Sequence, residues 1–207
     1  MPTDLLATPT PDAAAQPPDA QPPADAERLL TAEEYRTHPG LPARSELIRG
    51  KVVEMSLPGW RHAGVGARIS FLMQSYLENR RIGRSFAEAG VQTERGPDTV
   101  RGPDLFFCSY ERLPAEENPA GYADVAPEVV FEILSPGNRQ AEILRKVAEY
   151  FEAGVLCAVV VNPARRTTVL YHPDDEPTFL REEDRLALPA PLDGWTPSVA
   201  ELLSGGN

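Results

Sequence analysis

Hydrophobic positions along this chain change their period several times, and each change marks an element. Between His62 and Glu78 they recur at Val65, Ile69, Leu72, Met73, Tyr76 and Leu77, the spacing of a helix with one buried face. From Arg139 to Ala153 the stripe Ile143, Val147, Tyr150 and Phe151 repeats that period, and Gly154 supplies a terminator. Glu128 to Leu134 and Leu156 to Val161 are instead nearly continuous apolar runs, as in strands covered on both faces. Strand, helix, strand at this separation predicts a βαβ crossover. Shorter runs predict a hairpin of Ser45–Arg49 and Val52–Met55 around Arg49-Gly50, and a strand over Ser85–Thr93 with Gly90 as a bulge. They also predict strands over Asp104–Cys108 and Thr167–Tyr171, and a short pair around Phe179 and Leu186. Thr31-Ala32-Glu33-Glu34 has capping-box spacing for a short helix to Thr37, and a small helix is predicted from Ser198 to Leu203. The sum is an α/β protein: a mixed sheet flanked by helices, with antiparallel hairpins at its start and end, and not a doubly wound nucleotide binder.

Composition adds boundaries. Residues 1–27 are rich in Pro, Ala, Asp and Gln and predict a disordered tail, because such a segment buries too little apolar surface to offset its ordering entropy. Residues 28–204 then form one domain. Of 207 residues, 42% are hydrophobic, and the net charge is −11. That charge argues against a broad electrostatic footprint on nucleic acid. Its distribution softens the objection: residues 1–27 hold five acids and no base, residues 172–207 eight acids and two bases, and the stretch between eighteen of each. A neutral centre favours local, specialised contact. Cys108 and Cys157 lie in apolar runs and read as buried free thiols, not as a disulfide or zinc site. No apolar run approaches the ~18 residues of a membrane span, and the N-terminus lacks the charged and apolar regions of a signal peptide. A cytoplasmic protein without membrane association is expected.

Candidate chemistry rests on three side chains. The chain has eighteen arginines and only two lysines, Lys51 and Lys146. Lys146 flanks the apolar stripe of its helix, so its flexible stem could carry the ammonium to the strand ends; the plain alternative is a solvated helix lysine. Glu132 interrupts Val129-Val130-Phe131-Glu132-Ile133-Leu134, where an unpaired carboxylate is costly, so it must face a cleft, a partner or a metal; an edge-facing or ion-paired glutamate is the alternative. Asp104 opens an apolar strand after Gly102-Pro103 and is otherwise a turn aspartate. Two carboxylates can hold a hard divalent cation, and an ammonium beside them can orient and help deprotonate a water.

Four blocks carry a family resemblance: Glu46-Leu47-Ile48-Arg49-Gly50, Arg101-Gly102-Pro103-Asp104, Val130-Phe131-Glu132-Ile133-Leu134-Ser135-Pro136, and Lys146 with Tyr150, Gly154 and Val155. Together they resemble the Uma2-like restriction endonuclease family of the PD-(D/E)XK nuclease superfamily, at a coarse level from Leu29 to Leu203. The resemblance implies a restriction-endonuclease-like fold and Mg²⁺- or Mn²⁺-dependent phosphodiester cleavage. Asp104 and Glu132 would be the metal ligands, Lys146 the catalytic lysine and Glu46 a helper acid. In the usual superfamily motif the lysine lies two residues after the glutamate. That position is Leu134 here, so the lysine has migrated to the helix.

The expected function is a metal-dependent endonuclease acting on DNA, with a homodimer as one way to cut two strands. The alternatives are a non-catalytic nucleic-acid-binding or regulatory module on the same fold, and a hydrolase of a small phosphoester. His62, at the start of the long helix, is expected to cap it or line a cleft, with a catalytic or phosphate-contacting role left open. Ser135-Pro136-Gly137-Asn138 before a helix is a weak anion-site signal. Arg80, Arg81 and Arg84 form a small basic cluster, read as a solvated helix end or a backbone contact. Glu54 reads as an exposed strand acid and Arg145 as an ordinary surface residue.

Overall fold

The computed structural model describes residues 28–123, 125–137 and 139–206. The tail expected over 1–27 lies outside them. The chain builds α1 (Ala32–Thr37), β1 (Ser45–Ile48), β2 (Lys51–Glu54), α2 (Trp60–Leu77), β3 (Gly83–Ala87), β4 (Val91–Glu94), β5 (Thr99–Arg101) and β6 (Leu105–Ser109). It continues with β7 (Val129–Ile133), α3 (Gln140–Glu152), β8 (Cys157–Asn162), β9 (Thr167–Tyr171), β10 (Thr178–Leu180) and α4 (Val199–Leu203). The fold is mixed α/β, as the hydrophobic pattern predicts. The strands divide into two sheets: β2-β1-β5-β4, and a six-stranded sheet ordered β10-β9-β8-β7-β6-β3.

Local chemistry explains most boundaries. The Thr31 hydroxyl accepts from the Glu34 N–H while Glu34 reaches back to the Thr31 N–H, a capping box that opens α1. Arg49 and Gly50 both take positive φ, 50° and 76°, the conformation that a two-residue turn matched to strand twist requires. Gly154, at φ 101°, ends α3 and returns the chain to β8.

The large sheet is covered on both faces. β7 and β8 are parallel, with Val129 opposite Cys157 and Ile133 opposite Val161, so β7-α3-β8 is the expected crossover. Strand alternation sends Val129, Phe131 and Ile133 into a core with Val65, Ile69 and Met73 of α2. It sends Val130, Ala158 and Val160 against Ile143, Val147 and Tyr150 of α3. The small sheet packs Leu47 and Val100 on Ala32 and Tyr35 of α1.

Two segments differ from the pattern read along the chain. Ser85–Thr93 is not one bulged strand. Glu88 takes φ 54° and breaks the extended path, so β3 pairs with β6 while β4 pairs with β5 in the other sheet. Gly90 marks a close approach: a Cβ there would lie 2.4 Å from the Tyr122 ring. Phe179 does not pair with a strand at Leu186. It sits in β10 beside β9, and the segment near Leu186 makes only a single bridge, Arg185 to Ser198.

Candidate active site

The parity that sorts the core also places the acids. Glu132 shares the face of β7 that carries Val130, so it points toward α3 and not toward α2. There it meets Lys146, whose Nζ lies 3.0 Å from Glu132 Oε1 and 3.2 Å from Oε2. Tyr150, one helical turn further and so on the same face, donates its hydroxyl to Glu132 Oε1 at 2.6 Å. In the small sheet Leu47 faces α1, so its neighbour Glu46 faces the opposite way. Glu46 Oε1 lies 2.9 Å from Lys146 Nζ and accepts the Gly102 N–H at 3.0 Å. Lys146 is therefore held between one glutamate from each sheet.

Arg101, at the end of β5, completes the link. It donates to Glu46 Oε2 at 2.7 Å and, through Nε and a terminal nitrogen, to Glu149 of α3 at 2.5 and 2.8 Å. A nearly closed chain of charges, Glu149–Arg101–Glu46–Lys146–Glu132, thus joins the two sheets through α3. Glu46, Arg101, Glu132 and Lys146 are all buried.

Asp104 sits in the bend just ahead of β6, the strand beside β7, with which it runs antiparallel with Leu105 opposite Phe131. Its Oδ2 accepts the Ile133 N–H at 2.7 Å, and its Oδ1 lies 2.9 Å from His62 Nε2. His62 Nδ1 is 3.2 Å from Ser135 Oγ. The histidine belongs to the first turn of α2 and lines the cleft. Asp104, Glu132, Lys146, Glu46 and His62 all border one cleft of about 480 Å³.

Burial and neighbours set the charge states. For Lys146, burial opposes the ammonium, but Glu132 and Glu46 outweigh it and hold its pKa above the ordinary lysine value. Burial also opposes the Glu46 carboxylate, yet Lys146, the Gly102 N–H and Arg101 keep it below the usual range. Glu132 goes the other way: burial first, then the negative charge of Asp104, raise it despite Lys146. The hydrogen bond to Asp104 raises His62, and burial beside Glu132 raises the Tyr150 hydroxyl. The negative charge of Asp104 thus opposes that of the Glu132 carboxylate.

All four acids and bases proposed from the sequence meet in this cleft. The solvated-lysine reading of Lys146 does not describe what is seen; Asp104 does sit in a bend, and its carboxylate also borders the cleft. Arg145, read as an ordinary surface residue, also lines the cleft. Glu54 is exposed as expected. The basic cluster serves the fold in part: Arg80 lies 4.0 Å over the Tyr76 ring, and Arg84 donates to the Glu117 carbonyl at 2.6 Å. Arg139 starts α3 without a side-chain cap. Arg101 and Glu149 went unread as site residues. The available signal was an arginine two residues ahead of Pro103-Asp104, and an acid three residues after Lys146 on the same helical face.

A nuclease-type fold built around a buried acid–lysine cluster is the class these observations define. A crystal structure from Anabaena variabilis ATCC 29413, described as "a putative nuclease belonging to DUF820", shares the fold. It is 24% identical, with a TM-score of 0.71, over 86% of this chain and 99% of that one. The model of the Uma2 family, described as "Putative restriction endonuclease", matches residues 32–202, and the chain belongs to that family. No curated protein matches the chain.

Proposed function

We propose that the cleft is a divalent-metal-dependent phosphodiesterase site acting on DNA, a variant of the PD-(D/E)XK arrangement in which a helix lysine replaces the strand lysine. The carrying observation is the arrival of Lys146 between Glu132 and Glu46, beside Asp104, in one cleft. Asp104 and Glu132 would hold Mg²⁺ or Mn²⁺. Their chemistry fits: both are hard oxygen donors, and both keep lone pairs beyond the hydrogen bonds they accept. Among the described residues no cluster of three or more His, Cys, Asp or Glu side chains is arranged to hold a metal. Two carboxylates with water and substrate phosphate as the remaining ligands would be the habit of Mg²⁺.

When bound, the ion polarises a phosphoryl oxygen and lowers the pKa of water. The protein's own groups do the rest. Lys146 stays protonated between two carboxylates, so it acts as a fixed positive charge for the oxygens that gain charge in the transition state. It does not serve as the base. Glu46 holds that ammonium in place, Tyr150 orients Glu132, and His62 with the Ile133 N–H orients Asp104. Cutting both strands at one locus would take two copies of the chain.

Plasmid DNA incubated with Mg²⁺ or Mn²⁺ should be nicked or linearised, and Asp104→Ala should abolish cutting while circular dichroism stays unchanged. Calorimetric titration with Mn²⁺ should show binding that Asp104→Ala removes. One observation favours a second reading: the Glu132–Lys146 pair is buried and mutually satisfied, as in a fold that binds nucleic acid without hydrolysis. Mn²⁺ binding with no turnover of plasmid, single strands or a generic phosphodiester would select it.

A further inference from the structure

Between two residues that line the cleft, Pro58 and His62, the chain carries an aromatic side chain for which the fold has no use. Trp60 is 96% exposed and Leu57 80%, the two most exposed large apolar side chains among the described residues. Leu57 lies in the segment that joins β2 to α2 and Trp60 opens α2; Ser56 and Pro58 of that segment and His62 of the first helical turn line the cleft. Full exposure of an indole gains nothing for folding, because its apolar surface stays in water. Beside it, Arg61 is exposed and makes no ion pair or hydrogen bond with a described residue. The same holds for Arg145, which lines the cleft next to Lys146. Most other cleft charges are committed: Arg101 to Glu46 and Glu149, and Arg44 to Glu88 at 3.6 Å.

We infer that the rim of the cleft binds an unpaired polynucleotide strand, with a base stacked on Trp60 and a backbone phosphate on Arg145. The inference rests on the nuclease reading and narrows its substrate. Three features favour a single strand over a duplex. Proteins that bind single strands combine stacking aromatics with a few basic contacts, and a base presents its face to an indole only when it has left its stack. A cleft of about 480 Å³ has the volume of a small-ligand site, not of a channel for a double helix. The chain's net charge of −11 suits few phosphate contacts, not the many a duplex footprint uses.

The test uses the full chain in EDTA, so that binding is read without cleavage. The probes are an oligodeoxythymidine of about 20 nucleotides, longer than one stacking site, and a duplex of equal length. Tryptophan emission reports directly: Trp195 is buried edge-on against Phe131 at 6.0 Å, so quenching on titration belongs to Trp60. The strand should quench emission and bind more tightly than the duplex. Read by anisotropy of a labelled strand, since the variants lack the reporting indole, Trp60→Ala should weaken strand binding about 5- to 150-fold, the range for losing one stacked base, and Trp60→Phe should restore most of it. Arg145→Ala should lower the slope of log affinity against log salt by about 0.7, one single-strand phosphate.

Tighter binding of the duplex, or Trp60→Ala affinity indistinguishable from wild type, would overturn the proposal. So would a dimer in sedimentation that Trp60→Ala converts to monomer, since the indole would then seat a second copy. The two readings fail separately. Strand binding through Trp60 with no cleavage under Mn²⁺ leaves the rim and removes the nuclease, whereas plasmid cleavage that ignores Trp60 does the reverse.

Discussion

Two buried glutamates sit four residues apart at either end of β7, and their surroundings differ in kind. Glu128 accepts the Ser109 N–H at 2.9 Å and the Ser109 hydroxyl at 2.5 Å, with Arg112 Nε at 3.2 Å. Arg112 in turn donates to the carbonyls of Ala126, Pro127 and Gly154. That carboxylate is satisfied by its own strand neighbour and by an arginine spent on loop backbone, and it does not line the cleft that Glu132 faces. Glu132 meets side chains from another helix, lies beside a second carboxylate and faces a cavity. Burial of an acid is therefore no sign of function. What separates the two is whether the partners close the local backbone or assemble charges from distant parts of the chain around open space.

The sharpest way to break this contrast is to neutralise each glutamate without changing its shape. Glu132→Gln should lower plasmid cleavage by about 1,000-fold or more, the scale on which loss of a transition-state electrostatic group registers, and should remove Mn²⁺ binding in calorimetry. Glu128→Gln should leave both unchanged. Equal losses in the two variants would show that β7 integrity, and not the cleft, governs activity.

Next in size is Arg101→Ala. It strands Glu46 and Glu149 without their shared cation in a buried setting, and unfolding in urea should show a loss of about 3–5 kcal/mol. Lys146→Ala should reduce turnover about 100- to 1,000-fold while leaving Mn²⁺ affinity largely intact, because the carboxylates remain. Glu128→Ala should cost about 1–3 kcal/mol by leaving the Ser109 donors without an acceptor, with cutting per folded molecule unaffected.

The smallest effect is a pH slope. The folded state lowers the Glu46 pKa from its ordinary 4.5. Its contribution to stability is thus present above that value and is lost as pH falls through the folded one. Melting temperature should drop on acidification below about 4.5, and Glu46→Gln should flatten part of that drop; an unchanged slope would show that Glu46 is not held as a carboxylate.

The helices α2 and α3, the β1–β2 hairpin and the β7-α3-β8 crossover were legible because each has many positions repeating one period. β5 was not, since three residues cannot display alternation, and neither was the break at Glu88, where one residue's backbone conformation diverts the chain between sheets. In the site, Glu132 stood out as a charge inside an apolar run, and Lys146 as one of two lysines. Arg101 and Glu149 did not, because arginine and glutamate are common here and only their mutual distance gives them meaning. Arg145 is exposed, as the reading of a surface residue has it, and only the structure shows that it also lines the cleft.

Periodicity and residue chemistry were enough to specify the class of fold, the strand that carries an acid and the helix that carries the lysine, because those depend on neighbours within a few positions. Division of the strands into two sheets, the seating of Lys146 between Glu46 and Glu132, and the exposure of Trp60 came only with tertiary structure. They depend on contacts between residues far apart in the chain, which no local pattern encodes.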